Sequence, residues 1–414
     1  MNASNTATMK WASALSLERD AASATAEVIR DIKPKLGSRR PDALFLFLSS
    51  HHKSHCQTIL AAILKQLGPV HLLGCSGESV IGEWHEAEQV PALAMAGAVL
   101  PNVELKPIRL TDSMLPSPDC SPRLWEERLG VKASLNPHFI LFADPFSIHA
   151  DDLLAGLDFA YPQGVKVGAL ASGGRQPGQD ALFLDNYVFH DGAVGLALSG
   201  DVRIETIVAQ GCRPFGPVLA ITKCESNIVL ELDHHPALEI LRAIYRQADA
   251  RDQELMPTAL HLGLRMDPFK LESPGPGDFL IRAPIGLDVR YGALVIAAHV
   301  HEGQTVQFHL RDPRAAGEDI MAVLHRYNVA RLAANKGEAV APSPRGALMF
   351  SCVARGRRLY GAADYDTHAF RAELGDVPLT GFFCNGEIGP VGGTTYLHGF
   401  TSCFGVFCSK SDKA

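Results

Sequence analysis

The sequence predicts an α/β protein of two modules, each with mixed β-sheets flanked by helices, in an α/β/β/α layering. Three observations carry this prediction. The order strand, helix, strand recurs along the chain, hairpin signals between the recurrences require antiparallel pairing, and 414 residues are enough for two packed domains. The mixed pairing disfavours a doubly wound nucleotide-binding fold.

The first strand–helix–strand unit starts at residues 43–48, a continuous apolar run typical of a strand buried on both faces. Ser54 and Gln57 have the spacing of a capping box, which predicts that a helix begins there. The chain then returns as a strand over residues 70–73 and ends in a tight glycine turn over residues 74–78.

The same order recurs over residues 138–174 and, more weakly, over residues 347–387. Each copy ends in a segment rich in small residues, so the three turns are expected to share one geometry if the repetition is genuine. The alternative is that strand, helix and strand is simply the commonest α/β unit.

A hairpin is predicted across Asp191-Gly192, and a helix is predicted to begin near Pro236. We place the domain boundary at this helix. The expected organisation is an N-terminal segment (residues 1–36), a first module (37–232), a second module (233–395) and a C-terminal strand and tail (396–414).

The composition argues against several classes of function. The 38 Lys and Arg residues against 45 Asp and Glu give a net charge of -7, so binding to nucleic acid or to an anionic membrane is not expected. Nine scattered cysteines favour a reducing compartment over a disulfide framework. The first residues resemble neither an export nor an import signal, so a cytoplasmic protein is expected.

Several segments together resemble the FIST family (F-box and intracellular signal transduction proteins), whose modules are called FIST N and FIST C. The similarity covers nearly the whole chain. The segments similar to FIST N are residues 11–14, 74–78, 192–195, 198–200 and 210–214, and those similar to FIST C are residues 351–352, 355–356, 381–383, 386–390, 397–398 and Thr401.

The resemblance implies a cytoplasmic sensory module that binds small ligands, with amino acids as the proposed class, rather than an established catalyst. Relatives carry an F-box or a signalling domain on the same chain. We expect a stand-alone form here, which would pass its signal through a protein partner or an oligomer interface.

The predicted ligand site lies where the first unit ends, because polar groups at the ends of buried strands often face a cleft. Its expected members are Cys75, Ser76, Gly77 and Glu78. The structural alternative is that Glu78 caps nearby N–H groups.

By sequence analogy Glu387 matches Glu78 in the second module, and the two carboxylates would hold the ammonium group of an amino acid in an inter-domain cleft. Arg213 or Arg355 would bind its carboxylate. The other expected ligand-binding residues are Cys352, Asn385, Gly386 and His398. Arg355, Arg357 and Arg358 also form a small basic cluster, which fits either an anion site or a solvated loop after a strand.

The competing hypothesis is a cysteine-dependent enzyme acting on a small carbonyl or thiol compound. Its nucleophile would be Cys212, beside Arg213, or Cys384, although buried inert thiols are the commoner state. A third class is a scaffold that only presents a protein-binding surface. His51 and His55 have a spacing that a metal site can use, but no second ligand cluster accompanies them, so neither a metal nor a cofactor is expected.

Overall fold

The structure is a computed structural model that describes residues 8–37, 39–267, 269–270, 272, 274–275, 277–334 and 343–411. It divides into a larger unit (Met1–Val208, Met321–Leu397 and Thr401–Ala414) and a smaller unit (Ala209–Ile320 and His398–Phe400). The predicted boundary at residue 233 lies inside the smaller unit. Parts of the predicted N-terminal segment and C-terminal tail, residues 1–7 and 412–414, are outside the described residues.

The helices are α1 (Ala21–Leu36), α2 (Cys56–Leu67), α3 (Pro122–Leu129), α4 (Ala150–Ala160), α5 (Ala237–Gln247), α6 (Ala250–Ala259), α7 (Pro313–Ala334), α8 (Arg357–Tyr360) and α9 (Tyr365–Leu374). The strands are β1 (Lys10–Ser16), β2 (Ala43–Ser49), β3 (His71–Gly77), β4 (Val80–Gly82), β5 (His85–Ala87), β6 (Leu93–Val99), β7 (Val103–Leu110), β8 (His138–Ala143), β9 (Lys166–Leu170), β10 (Leu182–Leu184), β11 (Tyr187–Phe189), β12 (Ala193–Gly200), β13 (Arg203–Gln210), β14 (Cys212–Glu225), β15 (Ile228–Leu232), β16 (His235–Pro236), β17 (Leu260–Arg265), β18 (Phe279–Arg282), β19 (Pro284–Asp288), β20 (Ala293–Ile296), β21 (Thr305–Arg311), β22 (Gly346–Cys352), β23 (Leu379–Cys384), β24 (Glu387–Val391), β25 (Thr394–His398) and β26 (Thr401–Cys408).

The larger unit contains three six-stranded sheets with one common plan. Their strand orders are β1-β6-β2-β3-β10-β11, β7-β12-β8-β9-β24-β25 and β13-β26-β22-β23-β4-β5. The two central strands of each sheet are parallel, and the strand beside the first of them is antiparallel. The last two strands of each sheet come from another repeat. Along the chain, β4 and β5 follow the pair β2-β3, β10 and β11 follow β8-β9, and β24 and β25 follow β22-β23, yet each of these end pairs joins a different sheet. The predicted mixed α/β fold is therefore confirmed, and so is the internal repetition.

One glycine position repeats in all three parallel pairs. At this position a Cβ atom would lie within 2 Å of the carbonyl oxygen of the residue opposite it on the neighbouring strand, so only glycine fits. The three pairs are Gly74 with Leu46 (1.9 Å), Gly168 with Leu141 (1.8 Å) and Gly381 with Met349 (1.7 Å).

This close approach corrects the predicted turn at residues 74–78. Residues 74–77 continue strand β3 and are all buried, because Gly74 serves strand packing and not chain reversal. Only Glu78 lies beyond the strand.

The core of the larger unit is built where the repeats meet. The residue after each glycine's partner is a phenylalanine, namely Phe47, Phe142 and Phe350. The rings of Phe47 and Phe142 are 5.4 Å apart between centroids, and those of Phe142 and Phe350 are 5.6 Å apart. These edge-on contacts join the three sheets into one core.

Two local predictions are wrong. The Ser54–Gln57 capping box does not form, because residues 50–55 make a 3₁₀ turn and α2 begins at Cys56. The Asp191-Gly192 dipeptide does not join a hairpin, since β11 pairs with β10 while β12 pairs with β7 and β8. Burial of β12 between two long strands outweighs the local turn preference.

The smaller unit is built around a sheet with the strand order β18-β17-β21-β14-β15-β20-β19, to which β16 pairs through β15. Its core includes Leu238, Leu241 and Ile244 from α5, packed with Phe308 and Leu310 from β21. Helix α5 begins at Ala237, directly after Pro236, as the sequence predicts.

Candidate functional site

A cavity of about 360 Å³ lies in the larger unit, between the β5 segment and the helices α8 and α9. Its size is within the range of roughly 300 to 1,000 Å³ that is usual for small-molecule sites. The lining residues are Leu15, Leu17, His85, Glu86, Ala87, Glu88, Val90, Arg357, Ala363 and Asp364.

Glu88 is held in this cavity by the chain that leads into α8. Both of its carboxylate oxygens accept the backbone N–H of Arg357, at 3.0 Å. Gly356 permits this approach, because a Cβ there would lie 2.7 Å from the carboxylate and its φ of +60° suits glycine. Burial raises the pKa of Glu88 above its ordinary value.

Glu86 ties β5 to the start of α9. Its Oε1 accepts the N–H of Thr367 at 3.0 Å, and its Oε2 accepts the N–H of Asp364 at 3.1 Å. The Glu86 N–H donates in return to Oδ1 of Asp364 at 2.6 Å. Burial, together with the nearby carboxylate of Asp366, raises the pKa of Glu86 to about 8.

The raised pKa of Glu86 predicts a pH-dependent stability. The folded state binds the proton more tightly than the unfolded state, so the stabilisation is full below about pH 4.5 and is lost as pH rises through about 8. Replacing Glu86→Gln should flatten the fall in unfolding free energy over this window, by up to about 1.4 kcal/mol per pH unit. Urea denaturation at several pH values measures this pH dependence of the unfolding free energy. Glu127→Gln, on an exposed surface, is the control, and equal slopes for wild type and Glu86→Gln would refute the assignment.

The cavity also offers a cation and an apolar wall. Among the described residues, the guanidinium of Arg357 has no hydrogen-bond or ion-pair partner, although its backbone N–H is bound to Glu88. Leu15, Leu17 and Val90 supply the apolar wall. A small molecule carrying both charges and an apolar group therefore finds a complement for each part.

The predicted site residue Glu78 lies close to this region. Its carboxylate forms an ion pair of 2.7 Å with Arg358, whose side chain is 47% exposed. The Glu78 N–H donates to Oγ of Ser172 at 2.8 Å. Cys75, Ser76 and Gly77 are buried in β3, where the hydroxyl of Ser76 bonds to Asp180.

Glu387 does not occupy the position that matches Glu78. The strand register aligns Glu78 with Asn385, four residues after the repeated glycine in each case. Glu387 instead pairs with Ala169, the residue after the repeated glycine Gly168. In the other two sheets the residue after the glycine pairs with Val80 or with Leu182, so Glu387 matches these two residues.

The Glu387 carboxylate is fully buried and bound within the protein. It accepts the N–H and the hydroxyl of Thr401 and the thiol of Cys384. Burial raises its pKa to about 7.

The two arginines predicted to bind a ligand carboxylate are both engaged in ion pairs. Arg355 is buried and pairs with Asp366 at 2.7 Å. Arg213, which belongs to the smaller unit, pairs with Asp252 and with Asp312.

The remaining predicted residues are dispersed. Cys352 and Cys384 are buried, Cys212 is half-buried in the smaller unit, and His398 also belongs to that unit. Asn385 and Gly386 bond through their backbones to Leu170.

Two of the predicted site thiols, those of Cys75 and Cys384, are not activated. Burial raises the pKa of Cys75 and of Cys384 well above the ordinary thiol value, and the neighbouring carboxylates Asp180 and Glu387 raise them further. Both thiols are therefore poor sources of thiolate.

Neither a group of metal-ligating side chains nor a membrane-spanning helix is found in the part of the chain that the structure describes. No three His, Cys, Asp or Glu side chains are grouped there to hold a metal ion. His55 contacts Ser54, and His51 lies 3.5 Å from the hydroxyl of Ser49. None of the described helices is both long and apolar enough to cross a bilayer.

Sequence reasoning missed Glu86 and Glu88 and named Arg357 only within a basic cluster. The alternation in residues 85–88 carries a weak signal, since Glu86 and Glu88 would share one side of an extended segment, although β5 itself ends at Ala87. Nothing in the sequence indicates that residues some 270 positions away meet this strand.

Comparison with known proteins gives one consistent result. The FIST N domain matches residues 42–235, and the FIST C domain matches residues 237–390. An uncharacterized protein of Mycobacterium tuberculosis strain H37Rv is 34% identical over 394 residues, which cover 94% of this chain and 97% of that protein. An uncharacterized protein of Mycobacterium bovis is 32% identical over 391 residues, covering 94% and 96% of the two chains.

Proposed function

Because this chain belongs to the FIST family, whose domains are associated with sensory roles in signal transduction, we propose that it is a small-ligand-binding sensory protein that binds amino acids. The observation that carries the proposal is the cavity lined by Glu86, Glu88, Asp364 and Arg357.

The position of the cavity supports a sensory role. Residues 85–90 of its lining fall within the FIST N match, and residues 357–364 fall within the FIST C match. A ligand bound there contacts both modules within the larger unit, so its binding energy favours one arrangement of the two segments.

The charges of the cavity suit an α-amino acid. The ligand's ammonium group would bind Glu88, with Asp364 nearby, and its carboxylate would bind the guanidinium of Arg357. Leu15, Leu17 and Val90 favour an aliphatic side chain such as that of leucine.

A thermal-shift titration tests this proposal. Leucine should stabilise the protein, by about 2.7 kcal/mol at a hundredfold excess over Kd. Two analogues that lack one charge, isopentylamine and 4-methylpentanoate, should bind about ten to a hundred times more weakly, because each loses one charge-assisted contact. Glu88→Gln and Arg357→Ala should weaken leucine binding by a similar factor.

Arg123→Ala is the matched control, since Arg123 is an exposed arginine outside the cavity that pairs only with Glu127 among the described residues. It should bind leucine as the wild type does. If no proteinogenic amino acid shifts the melting temperature, or if Arg357→Ala binds leucine with unchanged affinity, this function is excluded for the cavity.

A further inference from the structure

The smaller unit contains a second, larger cavity of about 930 Å³, formed by α5, the start of β17 and the edge strand β19. Most of its lining is apolar. The lining residues are Leu238, Leu241, Arg242, Tyr245, Arg246, Met256, Pro257, Thr258, Leu260, His261, Ala283, Pro284, Ile285, Gly286 and Leu287.

The apolar surface is exposed on β19. Ile285 and Leu287 are 61% and 55% exposed, although both are large aliphatic residues. The two residues are two positions apart on the strand, so their side chains lie on the same face of β19, and both line the cavity. Exposed apolar surface that adjoins a concave pocket is typical of a ligand-binding site.

The charged groups of this cavity are all cationic. Arg242 and Arg246 are one helical turn apart on α5, and within the described chain neither guanidinium has a hydrogen-bond or ion-pair partner. No Asp or Glu lines the cavity, so a ligand ammonium group finds no carboxylate there.

His261 also lines the cavity, and because burial lowers its pKa to about 4 the ring is neutral at pH 7. Its Nδ1 lies 2.8 Å from the carbonyl oxygen of Ala259 and therefore carries the proton, while its ring packs edge-on against Phe400 at 4.1 Å. His261 thus adds no charge, and the two arginines set the charge preference.

We propose that this cavity binds a carboxylate with a long apolar body, of the medium-chain fatty-acid type. The chain would lie along Leu241, Ile285 and Leu287, and the carboxylate would bind Arg242 and Arg246. This site is independent of the proposed amino-acid site, which requires a ligand with both charges.

Isothermal titration of the full chain with decanoate and with decanol, both below the concentration at which they aggregate, tests the proposal. Decanoate should bind about tenfold more tightly than decanol, and Arg242→Ala with Arg246→Ala should remove that preference. Leu287→Gln should weaken both ligands. Arg290→Ala, which removes an arginine outside the lining that stacks on Tyr291, should change neither.

Glu88→Gln should bind decanoate as the wild type does, which separates this result from the test of the amino-acid site. The proposal is overturned if decanoate does not bind, or if the double arginine variant keeps its preference for decanoate. It is also overturned if the protein is dimeric on size exclusion and Leu287→Gln makes it monomeric, because the exposed face would then be an interface between copies.

Discussion

Replacing Gly381→Ala should prevent the protein from folding stably. The added Cβ would lie 1.7 Å from the carbonyl oxygen of Met349, which is backbone at the centre of a buried sheet and cannot move aside. Overpacking in a core typically costs about 1 to 3 kcal/mol, and a clash with fixed backbone exceeds that range. Against a total stability of about 5 to 15 kcal/mol, we expect loss of the cooperative thermal transition or a large fall in Tm.

Because the position repeats, Gly74→Ala and Gly168→Ala should have comparable effects. Gly286→Ala is the matched control. Gly286 also lies in a strand, but a Cβ there meets Val295 at an ordinary 3.6 Å. If Gly381→Ala melts within a few degrees of the wild type, the steric origin of the repeated glycine is wrong.

The sequence predicts the elements well because their signals are local. The three strand pairs and the helix α5 follow from continuous apolar runs and helical periodicity, and the structure has them within a few residues. Local patterns do not predict which sheet the last two strands of each repeat join. That choice depends on pairings such as that of Phe382 with Val80, which are about three hundred residues apart.

The same limit applies to the candidate site. Glu78 follows a buried strand, as the sequence indicates, and its carboxylate pairs with the exposed Arg358. Sequence analogy selects Glu387, and its positive charge selects Arg355, but both side chains are bound inside the protein. An isolated sequence shows that a charged residue follows a strand, but the three-dimensional register decides whether it faces a cavity or an internal partner.

Arg355 gives the second large effect expected. Its side chain and that of Asp366 are 0% and 1% exposed, and Nε and Nη2 of Arg355 donate to the two carboxylate oxygens at 2.7 and 2.9 Å. The hydroxyl of Tyr360 bonds to both groups. Although burial acts to lower it, the charge of Asp366 raises the pKa of Arg355, so the guanidinium stays charged.

Asp366→Ala removes the carboxylate that pairs with this buried charge and should therefore destabilise the protein by about 3 to 5 kcal/mol. Urea denaturation measures this loss. Glu127→Ala, which breaks the exposed pair with Arg123, should cost no more than about 1 kcal/mol. An arginine that binds a ligand would behave differently. Replacing it would lower the affinity for the ligand and leave the free energy of unfolding nearly unchanged. If Asp366→Ala is as stable as the wild type, the buried pair of Arg355 and Asp366 does not stabilise the fold in this way.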